Sequence, residues 1–481
     1  MLLAFILVPL LGAAIMPIIR KIWAKASTWI TTLVSLCLVV MTGWIAFHDL
    51  VSRQKLMLTE WLLGQKLALS VDGLSLVALA AIGLVALVTA IYSAGFNLHP
   101  DRRPGYNALL LLMVTGMNGL VMATDLFSLY VFLEIVSVTA YILIAYQNDI
   151  EGLEGSFKYM MLSAAATVFL LLGTALLFAM TGSVSFSEVA AGVKSGNLFI
   201  QLGFAFVVFA FLVKAGMIPF HAWLPDAYTA ASSPVSIILA GIVTKICGVY
   251  TLMRVVLAVF GFSNPFSAML LFVGAISVVL GAFLALSQKN FKRMLAFSSI
   301  SQIGYMMMGF ATGSPLGIIG AAFHFFNHAV FKSLLFINAG AVEEATGTRN
   351  FDELGGLAGK MPITGVTSVI GLLSTAGIPP LAGFWSKLII IIALWQGGYH
   401  SYALIAVFAS IVTLGYLLSL QHSVFFGKVK QGLEDVHEVA PVLYWPSIIM
   451  AFITVGCGIF FWFIIPKLIL PVNSLLGLMF K

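Results

Sequence analysis

Cysteine is scarce in this chain. Its three cysteines, Cys37, Cys247 and Cys457, are isolated within apolar stretches and form no Cys-x-x-Cys pair. That spacing argues against a cysteine-ligated iron–sulfur cluster, a zinc site or a disulfide framework. No Gly-x-Gly-x-x-Gly turn opens a helix and no Walker-type loop is present, so the chain offers no nucleotide-phosphate cradle. No cofactor and no metal is expected in it. Charge is equally sparse, at 9% of residues, and the longest basic cluster, Arg102-Arg103, is too short for a nucleic-acid patch. Aromatic residues are plentiful (38 Phe, 9 Trp) and read as lipid-facing bulk and interfacial belts. No polar cluster at a membrane edge offers ligands to a quinone head group.

What is present in excess is apolar length. Hydrophobic residues make up 61% of the 481 and the mean hydropathy is +1.08, outside any soluble composition. Apolar runs of about 20 residues recur from end to end, which predicts an all-α polytopic membrane protein. About fourteen spans are expected, near 2–20, 28–47, 71–93, 107–124, 126–147, 158–181, 198–218, 234–258, 265–286, 291–312, 314–342, 363–395, 401–426 and 443–465. The first run has neither a basic leader nor a small-residue cleavage site and reads as a retained helix. Lysine and arginine concentrate near 20–25, 102–103 and 289–293. By the positive-inside rule those loops face the cytoplasm and both termini lie outside.

Two spans carry mid-membrane breaks. One reads Lys214-Ala-Gly-Met-Ile-Pro219-Phe-His221, the other Thr375-Ala-Gly-Ile-Pro379-Pro380-Leu-Ala-Gly-Phe-Trp-Ser-Lys387. Proline removes a backbone donor and interrupts the helix. Freed backbone groups inside a membrane are tolerated only within protein or beside a wet cavity. The shared Ala-Gly-x-(x)-Pro core, five spans apart, points to an internal duplication whose second copy is inverted, since each unit holds an odd number of spans.

Charges sit where they are least comfortable. Lys214, Lys245, Lys332 and Lys387 fall within spans, as do Glu134, His324 and His328. A charge at the bilayer centre costs about 2.5–3.5 kcal/mol on insertion scales, so such residues face the protein interior or a wet cavity. Lysine can give up its proton when buried, arginine cannot, and histidine titrates near neutrality. Glu134 is the natural partner of Lys214; the pair is either a switchable element or a static bridge between two helices. His324, His328 and Lys332 recur at four-residue spacing along one helical face. The two histidines also have metal-ligand spacing, but no third ligand is evident. Asp226, beside the first break, either admits cations or caps the next segment. The pattern points to a buried route for protons.

The motifs carry a family resemblance. They are Val71-Asp72-Gly-Leu-Ser75, Asp125-Leu-Phe-Ser-Leu-Tyr-Val-Phe-Leu-Glu134, the stretch 214–236, Gly241-Ile-Val-Thr-Lys245, Lys292-Arg-Met-Leu-Ala-Phe-Ser-Ser-Ile-Ser-Gln-Ile-Gly-Tyr305, His328-Ala-Val-Phe-Lys-Ser-Leu-Leu-Phe336 and Gly383-Phe-Trp-Ser-Lys387. In this order they resemble the antiporter-like subunits of complex I, of Mrp-type sodium/proton antiporters and of membrane-bound hydrogenases. The resemblance implies two inverted five-helix repeats, 107–258 and 265–426, flanked by N-terminal helices over 1–106 and a C-terminal helix within 427–481. It implies the shorter type, without a lateral helix. It also implies proton, or sodium/proton, translocation along Glu134, Lys214, Lys245, His324, His328, Lys332 and Lys387. Protons would enter from the cytoplasm near spans seven and eight and leave outside by Lys387. The expected setting is the plasma membrane of a prokaryote, among other and homologous membrane subunits that carry out the redox chemistry of a hydrogenase-like or NADH- or ferredoxin-linked complex, or in an Mrp assembly. Alternatives are a stand-alone cation/proton antiporter and a non-conducting scaffold. No nucleic-acid partner is expected.

Overall fold

The computed structural model describes residues 1–22, 26–48, 55–62, 65–193, 197–469 and 472. Among them, eleven helices are long and apolar enough to cross a membrane, and four shorter apolar helices accompany them. In chain order, α1 (Ala4–Ile22) and α2 (Ala26–Phe47) are followed by a hairpin of β1 (Lys55–Leu62) and β2 (Gln65–Ser70). Then come α3 (Gly73–Gly95), α4 (Arg103–Met122), α5 (Leu126–Ile144), α6 (Ile150–Thr181) and the short α7 (Phe186–Val193). The first broken span is α8 (Leu198–Lys214) with α9 (Trp223–Ala230); α10 (Ser233–Phe260) follows it. Next are α11 (Asn264–Leu286), α12 (Phe291–Ala311) and α13 (Pro315–Thr346). The second broken span is α14 (Pro362–Ala376) with α15 (Ala382–Gln396), before α16 (His400–Val424), α17 (Pro441–Ile459) and α18 (Phe461–Ile464).

The least apolar of the long helices, α12 and α13, are wholly surrounded by protein, as is α10, whereas α2 and α16 present much of their surface outward. Lipid offers no reward for burying apolar side chains, so the bundle interior is where polar side chains collect. Trp29, Leu33, Val40, Trp44 and Phe47 on α2 and Trp445 and Phe452 on α17 form part of the outer, apolar surface.

Both expected breaks are present. Gly216 (φ 65°) and Gly377 (φ 88°) each stand just after the last residues of α8 and α14, in a conformation that glycine alone adopts without strain. Between them lies α10, which departs from α-helical bonding over Leu239–Val243, Lys245–Tyr250 and Val256–Phe260, where the turns widen to π-helix. Such widening is frequent at functional sites. It surrounds Lys245 here.

Three sequence expectations change. The antiparallel hairpin over 55–70, with Lys55 opposite Ser70 and Leu56 opposite Leu69, lies in a stretch read as a loop. Helix α6 begins at Ile150, so Lys158, expected at the start of a span, stands two turns inside the helix. Helix α4 begins at Arg103, four residues before the expected start of its span at 107. Arg53 and Lys194, assigned to loops, lie outside the described residues.

Candidate proton-conducting site

The last residue of α8, Lys214, is 2% exposed. Its Nζ donates to Ser137 Oγ on α5 (2.8 Å) and to Ser163 Oγ on α6 (2.5 Å). Glu134 Oε1 lies 3.7 Å from the ammonium and accepts a shorter bond, 2.6 Å, from Thr167 Oγ1. The pair is therefore loose, with hydroxyls holding both partners. Glu134 keeps 30% of its side chain exposed, on the same α5 stripe as the exposed Phe127, Val131, Val138 and Ile142. The chain break follows at once: Trp223 Nε1 donates to Val213 O, satisfying a carbonyl that the interrupted helix leaves free.

Lys245 is fully buried on α10, and its Nζ meets no hydrogen-bond partner among the described residues. Beside Lys245, helix α10 packs on α13, the helix that carries His328 and Lys332. Gly248, one turn further, lets α10 close on the break: a Cβ there would come within 2.3 Å of the Ala215 backbone.

Helix α13 supplies three residues to one face, as the four-residue spacing requires. His324 and His328 have ring centroids 6.3 Å apart. His324 is bracketed by Ser386 Oγ (2.9 Å, at Nδ1) and Gln302 Oε1 (3.2 Å, at Nε2). Both ring nitrogens of His328 lack a protein partner among the described residues. Lys332 donates to Leu295 O at 3.1 Å and to Ser298 Oγ.

Lys387, on α15, uses the second break. Its Nζ donates to Thr375 O (2.8 Å) and Ala376 O (3.3 Å), carbonyls that α14 leaves unpaired where it stops, and lies 4.7 Å above the Tyr305 ring. Carbonyls and an aromatic face both stabilise an ammonium. Among the described residues, Lys245, Lys332 and Lys387 make no ion pair with a carboxylate; for Lys332 and Lys387, a hydroxyl, carbonyls and a ring face must offset the several kcal/mol that burying an ion costs. His324 reaches Lys387 through the adjacent Ser386. The seven sequence candidates thus fall into two groups: Glu134 with Lys214 at one break, and Lys245, His328, Lys332, His324 and Lys387 running to the other.

Sequence reasoning missed three charged networks. Arg254, read as lying at a span end, is 6% exposed on α10 and donates two hydrogen bonds to the Asp72 carboxylate at the N-terminus of α3, with Ser75 Oγ (2.9 Å) and Tyr250 OH (2.7 Å) completing the shell. Lys292, read as a loop residue, is 1% exposed and pairs with Glu343 at 2.6 Å; Arg349 Nε bonds the same carboxylate at 2.8 Å. Asp226 joins Lys158 (2.8 Å) and Arg293 (2.5 Å) at the rim of a 520 Å³ cavity also lined by Glu151, Glu154 and Arg349. Burial raises the Asp226 carboxyl, but the two cations outweigh it and hold it below its usual value of 3.8. The signals that pointed this way were Lys292 and Arg293 inside a recognisable motif and Asp226 beside a break. Among the described residues no group of three or more His, Cys, Asp or Glu gathers as a metal site.

Residues 123–413 match the family described as NADH:quinone oxidoreductase/Mrp antiporter, TM. NADH-quinone oxidoreductase subunit N of Desulforudis audaxviator is 34% identical over 74% of this chain and 72% of its own length. A Na(+)/H(+) antiporter subunit of Alkalihalophilus pseudofirmus is 31% identical over 72% of this chain and 71% of its own. A chain of the membrane-bound sulfane sulfur reductase, an archaeal respiratory membrane complex, superposes with a TM-score of 0.88 at 27% identity, covering 99% of both chains. A multi-pass helical architecture, a buried line of lysine and histidine and a family match over more than half the chain agree: the protein belongs to the NADH:quinone oxidoreductase/Mrp antiporter transmembrane family.

Proposed function

We propose that this chain moves protons across the membrane as an antiporter-like subunit of a larger energy-converting complex. The observation that carries the reading is the buried row Lys245, His328, Lys332, His324 and Lys387, fed at one end by the loose Lys214–Glu134 pair. Each of the lysines and histidines in it can gain and lose a proton, and neighbours of like charge in a desolvated row cannot all be charged together. A proton arriving on Lys245 therefore favours release further along. When Lys214 moves from the two serine hydroxyls toward Glu134, or away, it changes the field at Lys245 and sets the timing. Lys387, resting on open carbonyls at the second break, is the exit group. The driving reaction is done by other subunits, as the relatives' names imply, or the proton is exchanged against sodium as in an Mrp assembly.

The half-open Glu134 carboxylate supports the partner assignment. A carboxylate on an otherwise apolar outward stripe is costly against lipid, so another membrane subunit covers α5. The order of elements supports the internal repeat. In both 107–258 and 265–426 a 32-residue helix, α6 or α13, precedes a broken span. The basic residues at 20–25, 102–103 and 289–293 support the reading that this face is cytoplasmic and both termini lie outside, in a prokaryotic plasma membrane.

The test is proton uptake into vesicles carrying the assembled complex. Lys245→Met removes the titratable group at the centre of the row and is expected to abolish translocation while the complex still assembles. Normal translocation by that variant would sink the relay.

A further inference from the structure

Besides the Lys214–Glu134 pair, a second set of polar residues runs from the charged cavity toward the row. We propose that Glu343 is the proton-entry residue of a polar seam between α3, α10 and α13 that leads from the charged cavity to Lys245 and Lys332. The inference rests on the relay reading above.

Several observations carry it. Glu343 gathers three groups at the seam's mouth: Lys292 of α12 at 2.6 Å, Arg349 at 2.8 Å, and Ser233 Oγ, at the first turn of α10, at 3.0 Å. Arg349 itself lines the charged cavity. One turn inward, Gly340 lies against the Tyr92 hydroxyl and Ser233; a Cβ there would come within 2.6 Å of the hydroxyl. Tyr92 OH and Thr89 Oγ1 (one turn further along α3) are buried polar atoms with no hydrogen-bond partner among the described residues. Buried polar groups of this kind are met by ordered water. Deeper still, Gly241 of α10 packs on Ser333 of α13 and Val85 of α3, where a Cβ would come within 2.3 Å of the serine hydroxyl. The same three helices thus stay in contact to the level of Ser333, one residue from Lys332. On α13 itself, Glu343 and Lys332 are eleven residues apart, about three turns and roughly 16 Å, and so share a face.

Arg349 explains why Glu343 is not permanently engaged. Its guanidinium also stands 3.6 Å from Glu151 on α6, so it has two carboxylates to choose between. When Arg349 turns to Glu151, Glu343 keeps Lys292 as its one cation and Ser233 as a hydroxyl donor, takes a proton from the cavity at its carboxylate oxygen and passes it to the seam. Lys292, with Ala231 O as its other partner at 3.3 Å, holds the charge balance meanwhile.

The experiment compares Glu343→Gln, Glu343→Asp and Tyr92→Phe with Lys245→Met, reading proton uptake in vesicles against the amount of assembled complex. Glu343→Gln is expected to lower uptake at least tenfold, Glu343→Asp to keep most of it, and Tyr92→Phe to lower it severalfold without affecting assembly. If Glu343 only braces the helices, the balanced double variant Glu343→Gln with Lys292→Gln would recover both assembly and uptake, overturning the entry role. Full uptake by Glu343→Gln and Tyr92→Phe while Lys245→Met is dead would overturn the seam and leave the relay standing. Full uptake by Lys245→Met would overturn the relay and the entry with it. Should Glu343 variants fail to assemble, a cationic methanethiosulfonate reagent applied to Thr89→Cys in a Cys37→Ser background decides. Labelling from the charged face, faster when Arg349→Gln is added, is expected; no labelling in either variant would overturn the seam.

Discussion

Two buried ion pairs in this molecule are built in opposite ways. At the first break, Lys214 stands 3.7 Å from Glu134 and both are held mainly by hydroxyls. At the opposite end of α10, Arg254 forks onto both oxygens of Asp72, with Ser75 and Tyr250 closing the shell. A planar guanidinium that cannot deprotonate and binds bidentately makes a fixed joint. An ammonium on a flexible stem, which can deprotonate and has alternative hydrogen-bond partners, makes a movable one. The same helix α10 is thus pinned to α3 at one end, with Lys245 at its centre. In the proposed relay, fixing one end would let a change at Lys214 act on Lys245 rather than shift the whole helix.

The comparison can be broken most sharply at the fixed joint. Arg254→Met leaves Asp72 buried without its partner, which should cost about 3–5 kcal/mol. We expect loss of assembled complex or a large drop in its thermal midpoint. An unchanged midpoint would show that the joint carries no structural load.

Exchanging the two cation types sharpens it further. Lys214→Arg keeps the charge but removes the ability to release a proton, and should lower translocation about a hundredfold with assembly intact. Arg254→Lys should leave translocation near normal and lower stability modestly. Equal effects at both sites would dissolve the distinction.

Lys387 tests the exit. Lys387→Met and Lys387→Arg should both be inactive, whereas Lys387→Glu, which still titrates, should keep partial uptake. Near-normal pumping by the arginine variant would reduce Lys387 to a fixed charge over the Thr375 and Ala376 carbonyls.

Thr167→Val removes the bond that holds Glu134 away from Lys214 and should alter translocation by only a fewfold, equivalent to about 1 kcal/mol. The smallest effect is expected at Asp226, whose carboxyl is held low by Lys158 and Arg293. Its contribution is present above the ordinary carboxylate value and lost as the pH falls through the lowered one. Asp226→Asn should therefore cost about 0.5 kcal/mol at pH 7 and flatten part of the stability loss below about pH 4, measured by thermal melts across pH.

Much of the site could be read before any fold was known, because each of its lysines violates the surrounding hydropathy. Lys214 and Lys387 were additionally marked by neighbouring Gly-x-(x)-Pro breaks. Arg254 and Lys292 escaped notice for a physical reason: both lie near span ends, where a charge looks solvated in any window average. Burial to a few per cent there comes from helices that pack across the ends, and Asp72 is 182 residues distant from Arg254.

By itself the sequence determined the membrane-spanning class, since apolar runs of bilayer length admit little else, and the two interruptions, since proline cannot complete a helical bond. It also determined which side chains would be uncomfortable in the membrane. Only the tertiary structure decided how each discomfort is relieved. Lys387 rests on carbonyls freed by a break, Lys332 on a serine and a carbonyl, Arg254 on a carboxylate from α3, and Glu343 is shared between Lys292 and Arg349. The reason is that hydropathy is a local sum along the chain, whereas the partner of a buried charge is chosen by long-range packing, where desolvation makes every polar contact count.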